Sequence, residues 1–148
     1  MSGRAPPSGP PARLLLADSD PSLRRVLYLA LQARGYQVAL AATATTALEM
    51  AVDEHPDVIL LDLGLVGVGD VIRALRQVDA TPILLLTWPT EPDPQAALDA
   101  GADDALTKPF GIDQLLVRLE RLQAVRTPAH RSPGKEPARG AGSPWLRS

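Results

Sequence analysis

Asp18, Asp20, Asp62, Thr87 and Lys108 are the side chains of this 148-residue sequence whose types and spacing could do chemistry. Each stands at the end of an apolar run. Asp18 and Asp20 follow Leu14-Leu15-Leu16-Ala17, Asp62 follows Val58-Ile59-Leu60-Leu61, Thr87 ends Ile83-Leu84-Leu85-Leu86, and Lys108 follows Ala105-Leu106-Thr107. Carboxylates, a hydroxyl and an ammonium suit a hard cation and a phosphoryl group. Mg²⁺ takes oxygen ligands at roughly 2.1 Å and usually combines one or two carboxylates with waters and phosphate. A carboxylate such as Asp62 can act as a nucleophile and form an aspartyl phosphate. The ammonium and the hydroxyl would then stabilise charge on the transferred group. The plainer reading is a set of loop charges serving solubility. It does not account for their shared position at the ends of apolar runs.

The elements that must hold these residues alternate along the chain. Strands are predicted at Leu14–Ala17, Gln37–Leu40, Asp57–Leu61, Ile83–Thr87 and Ala105–Thr107, short apolar runs bounded by breakers, as in strands buried on both faces. Helices are predicted between them. Pro21–Ala33 has Asp20 as N-cap, Pro21 in its first turn and Gly35 beyond its end. Thr45–Glu54 stops before His55-Pro56, where His55 reads as a loop residue. Asp70–Arg76 is short, Pro94–Ala100 ends at Gly101, and Ile112–Val125 closes the series, with Leu115, Leu116, Leu119 and Leu122 as core. Five βα units over residues 13–126 imply a parallel sheet covered by helices on both faces. Ligands in such sheets bind beyond the carboxyl ends of the strands, which brings the five residues named above to one rim.

Composition narrows the function classes. Residues 14–126 hold nine Lys/Arg against sixteen Asp/Glu, a net −7, while residues 1–13 carry +2 and residues 127–148 carry +3. An acidic body argues against nucleic-acid binding. Aromatic residues, at 3%, leave almost no stacking platform for single strands. The chain has no cysteine, so thiolate chemistry and disulfides are excluded. No apolar run is long enough to span a bilayer, and the start lacks the apolar stretch of a secretory signal, so a cytoplasmic protein is expected. Residues 1–12 and 127–148 are rich in Pro, Gly and Ser and are expected to be disordered tails, the second one basic.

Three segments carry a family resemblance: Ala17-Asp18-Ser19-Asp20-Pro21, Pro56 through Leu65, and Ala97 through Phe110, ending in Thr107-Lys108-Pro109-Phe110. Residues 13–126 resemble the receiver domain of two-component response regulators, and are especially similar to the potassium-responsive branch of the winged-helix class. The resemblance implies a flavodoxin-like, doubly wound sheet of five parallel strands in the order 2-1-3-4-5. It implies Asp62 as phospho-acceptor, Thr87 as the hydroxyl on the phosphoryl group, and Lys108 as its ammonium partner, aimed by a cis bond to Pro109. Asp18, Asp62 and the Gly64 carbonyl match the positions that hold Mg²⁺. The implied partner is a sensor histidine kinase or phosphotransfer protein, with a downstream protein target, and the domain is a switch rather than an enzyme.

Departures from the family pattern are as specific as the matches. Ser19 stands where the family has a second acid that binds the metal, which predicts weak Mg²⁺ binding. Trp88 follows Thr87 where a small residue is usual, and Ala105 replaces the switch aromatic. The loops Val66-Gly67-Val68-Gly69 and Trp88 through Pro94 look rebuilt. Gln114 and Glu120 break ion pairs of the family's dimer face, which keeps Asp103, Asp104 and Arg118, so a monomer or weak dimer is expected. No winged-helix segment follows, so a single-domain receiver without direct DNA binding is expected. The alternatives are a pseudo-receiver that works without phosphate and a remnant of a transcriptional regulator. A dehalogenase-type phosphatase is excluded by order, since Asp103-Asp104 precede Lys108 and no cap domain fits.

Overall fold

The computed structural model describes residues 11–124 and Trp145. Its elements run β1 (Arg13–Ala17), α1 (Pro21–Ala33), β2 (Gln37–Ala41), α2 (Ala44–Glu54), β3 (Val58–Asp62), α3 (Val68–Val78), β4 (Ile83–Thr87), α4 (Gln95–Ala100), β5 (Asp104–Thr107) and α5 (Ile112–Ala124). The strands form one parallel sheet in the order β2-β1-β3-β4-β5, as expected for a flavodoxin-like doubly wound fold.

Alternation along the strands decides which helices cover which face. Leu15, Ala17, Ile59, Leu61, Ile83 and Leu85 point to the layer of α2, α3 and α4. Leu14, Leu16, Val58, Leu60, Leu84, Leu86 and Leu106 point to α1 and α5, where Leu27, Leu31, Leu115, Leu119 and Leu122 meet them. Every residue of β3 and β4 is buried, which explains their near-continuous apolar composition. No described helix is long and apolar enough to cross a membrane.

The third helix departs from the sequence expectation, β3 and β5 are shifted where it bears on the site, and the other boundaries agree to within one residue. The third helix spans Val68–Val78 rather than 70–76, because Val71, Ile72 and Leu75 form one buried stripe and Gly67, at φ 77°, supplies the left-handed turn before it. Asp62 and Asp104 lie inside β3 and β5 rather than beside them. The tail expectations fall mostly outside the described residues. Trp145 is the exception: it is buried among the side chains of the α2–α4 face, with the Arg13 guanidinium 5.2 Å from its ring centre.

Candidate functional site

The carboxyl ends of β1, β3, β4 and β5 bring Asp18, Asp62, Thr87 and Lys108 together, and all four are buried. Backbone ladders set their places. The Asp18 N–H donates to the Ala41 carbonyl (3.2 Å), prolonging the β1–β2 pairing, and the Lys108 N–H donates to the Thr87 carbonyl (2.7 Å), prolonging β4–β5. A cis Lys108–Pro109 bond follows, as the resemblance implied.

Lys108 Nζ donates to Asp18 Oδ2 at 2.8 Å and stands 3.5 Å from Asp62 Oδ1. The ammonium therefore bridges the two acids. Asp62 Oδ1 also accepts from the Gly64 N–H (3.0 Å), and Asp62 Oδ2 accepts from the Ser19 N–H (3.3 Å) and hydroxyl (3.2 Å). Ser19 thus satisfies Asp62 where a carboxylate would repel it. Burial pushes the Asp18 carboxyl above the usual carboxylate range. The Lys108 ammonium and the Asp20 N–H oppose the rise, and the charge of Asp62 adds to it.

Asp20 does not join this cluster. Its carboxylate accepts from the Ser22 N–H (2.9 Å) and the Leu23 N–H (3.4 Å), capping α1, while its own N–H donates to Asp18 Oδ1 (2.9 Å). The helix cap expected of Asp20 is therefore present, and Asp20 supplies no third acid. Among the described residues no group of three or more His, Cys, Asp or Glu is placed to hold a metal. The donor chemistry nevertheless fits Mg²⁺, since the Asp18 and Asp62 carboxylates are hard oxygen donors at one rim and waters complete such sites.

Glu91 belongs to the site and was given no role from the sequence. Its Oε1 accepts from the Thr87 hydroxyl (3.2 Å) and from the Trp88 N–H (2.8 Å). Glu91 and Asp93 stand in the same loop after Thr87, and residue type alone does not separate them. The turn that folds Glu91 inward decides between them. Trp88 is 42% exposed, and its ring centre lies 5.5 Å from Lys108 Nζ, so it stands beside the site and shields one side of the ammonium. His55 is a loop residue in the left-handed region at the end of α2, away from this rim.

Fold and rim define the class: a doubly wound α/β domain with acids, hydroxyl and ammonium gathered at the carboxyl ends of its strands. The chain belongs to the response regulator receiver domain family, whose model matches residues 14–120. It is 45% identical over 109 residues to the transcriptional regulatory protein KdpE of Mycobacterium tuberculosis H37Rv, covering 72% of this chain and 48% of that protein. It is 46% identical over 109 residues to the KDP operon transcriptional regulatory protein KdpE of Escherichia coli K12, with the same coverage of each. Thus the chain spans about half the length of the curated relatives it matches. Among solved structures, the chemotaxis protein CheY4 of Vibrio cholerae matches with TM-score 0.69 at 35% identity, over 76% of this chain and 98% of that one. The receiver domain of the Francisella response regulator 1452 matches with TM-score 0.69 at 27% identity, over 76% and 97%.

Proposed function

We propose that this receiver domain accepts a phosphoryl group on Asp62 from a histidine kinase or phosphotransfer protein, with Mg²⁺, and relays the change to a downstream protein. The observation that carries the reading is the buried Lys108 ammonium held between Asp18 and Asp62. Three charges withdrawn from water at one rim are costly unless they are used. In the transfer an Asp62 oxygen bonds to phosphorus while the donor's P–N bond breaks, and the departing imidazole keeps the electron pair and takes a proton. Lys108 then pairs with a phosphoryl oxygen, and the Thr87 hydroxyl donates to another. Mg²⁺, held by Asp18, Asp62 and the Gly64 carbonyl, would neutralise charge on the phosphoryl oxygens. Binding is expected to be weak because Ser19 supplies no negative charge.

The domain acts as a stoichiometric switch rather than a turnover enzyme, in the cytoplasm, without touching DNA through its acidic body. Asp103 and Asp104 are already paired internally, with Arg76 (2.8 Å) and Arg118 (2.9 Å), which supports a monomer or weak dimer. In the test, acetyl phosphate with Mg²⁺ should add one hydroxylamine-labile phosphoryl group by mass spectrometry, and Asp62→Asn should add none. Absence of adduct at millimolar donor, in wild type and in variants of the loop after β4 alike, refutes the reading. The placement of Glu91 and Trp88 favours a second reading, a pseudo-receiver that binds its partner without phosphate, and that result would leave it standing. In a longer regulator the same domain would govern an attached output domain.

A further inference from the structure

The loop after β4 turns a carboxylate into the rim. The Glu91 N–H donates to the Trp88 carbonyl at 3.0 Å, closing a four-residue turn with Pro89 at its second position, where the proline ring favours the required φ. That closure carries the half-buried Glu91 side chain back over the end of β4. Its Oε1 receives the Thr87 hydroxyl and the Trp88 N–H. Its Oε2 lies against Gly64 so closely that a Cβ there would collide with it, and the same point is 3.4 Å from Asp62 Oδ1. The carboxylate therefore lies between the ends of β3 and β4, beside the acceptor.

We propose that Glu91 is an internal anion that occupies the donors a phosphoryl group on Asp62 would need, so that transfer requires its expulsion. The inference rests on Asp62 being the acceptor. The Trp88 amide has one proton, held by Glu91 at 2.8 Å, and the single Thr87 hydroxyl proton is shared between Glu91 and the Trp88 carbonyl, 3.2 Å each, so neither donor serves Glu91 and a phosphoryl oxygen equally well. A second anion beside a phosphorylated Asp62 adds repulsion. Gly64 is the residue that leaves room for the carboxylate, since any side chain there meets Glu91 first. Expulsion of Glu91 frees the Trp88 N–H, so Trp88, whose ring stands 5.5 Å from Lys108 Nζ, loses a restraint in the same step. Glu91 thus sets both the threshold for phosphorylation and the surface that changes.

Two substitutions separate space from charge. Glu91→Ala removes the occupant, and Glu91→Gln keeps its shape and acceptor but not its charge. With acetyl phosphate and Mg²⁺, labelling of Asp62 should be fastest in Glu91→Ala, on the order of tenfold above wild type, which corresponds to roughly 1.4 kcal/mol. Glu91→Gln should fall between them. In nuclear magnetic resonance spectra of the unphosphorylated full chain, the Trp88 amide should lose the signature of its hydrogen bond in Glu91→Ala, and the beryllofluoride midpoint should drop by a similar factor. A wild type that labels while both variants label no faster, or more slowly, overturns the inference and leaves the acceptor reading intact. Absence of label in wild type and both variants overturns the acceptor reading, and the inference with it.

Discussion

At the amino-terminal ends of the strands, charged side chains tie down backbone groups and pair at the half-exposed edge; at the carboxyl ends two acids meet one another around a fully buried ammonium. Asp57 accepts from the Arg13 N–H (2.8 Å), Asp79 from the Thr81 N–H (2.9 Å) and Asp103 from the Ile83 N–H (2.8 Å). Arg13 donates to the His55 carbonyl (3.0 Å), and Arg76 to the carbonyls of Gly101 and Thr81 (2.8 Å each). These bonds satisfy groups that the ends of strands and helices leave without ladder partners, so the charges there maintain architecture. At the other rim Lys108 faces Asp18 and Asp62, and Glu91 faces Thr87. Those groups would be cheaper as apolar residues if folding were their only task. The same residue types thus hold the fold at one end and gather buried charge at the other.

The contrast breaks most visibly at Lys108. Lys108→Met leaves Asp18 and Asp62 buried without their cation and should cost about 3 kcal/mol in urea unfolding at neutral pH without metal. Added Mg²⁺ should restore part of that loss, whereas no cation should rescue a defect at the opposite rim. A loss that is small and insensitive to Mg²⁺ would erase the distinction.

At the opposite rim Trp145→Ala should lower stability by up to about 3 kcal/mol, since a large buried ring leaves the α2–α4 face and Arg13 loses its stacking partner. Acetyl-phosphate labelling should stay at the wild-type rate. An unchanged urea midpoint would show that Trp145 adds nothing to the core. Arg76→Met, which removes two bonds to carbonyls and the pair with Asp103, should cost about 2 kcal/mol, equally with and without Mg²⁺. A Mg²⁺-dependent loss at Arg76 would couple the two rims.

The smallest effect sharpens the comparison through pH. Asp18 is held above its ordinary value, so the folded state binds its proton more tightly than the unfolded chain does. Its contribution to stability is full below the ordinary carboxylate range and is lost as pH rises through the raised value. In metal-free protein, Asp18→Asn should flatten this slope and raise stability near neutral pH relative to wild type. A steeper slope in the variant would mean that the pair with Lys108 outweighs burial.

Much of the fold was legible because local chemistry and alternation agree. Pro21 and the capping Asp20 start α1 where expected, and β4 runs Ile83–Thr87 as read. The short third helix was misjudged because two glycines, Gly67 and Gly69, flank Val68 where a loop seemed natural; packing of Val71, Ile72 and Leu75 outweighs their propensity. Leu116 is only partly buried, whereas Leu115, Leu119 and Leu122 are core, because the helix turns Leu116 toward the edge of the face.

By itself the sequence determined the alternation of strands and helices, the rim on which Asp18, Asp62, Thr87 and Lys108 meet, and Asp20 as the cap of α1, although it placed Asp20 on the same rim. Those follow from periodicity, from turn chemistry and from the handedness of parallel crossovers, which are local or general. The tertiary structure alone decided that Lys108 bonds Asp18, 90 positions away, more closely than Asp62. It also decided that Glu91 rather than Asp93 enters the site, and that Trp145 joins the core. Each of these depends on a few ångströms between segments distant in the chain, and on burial that makes a hydrogen bond or a charge count for more than it would in water.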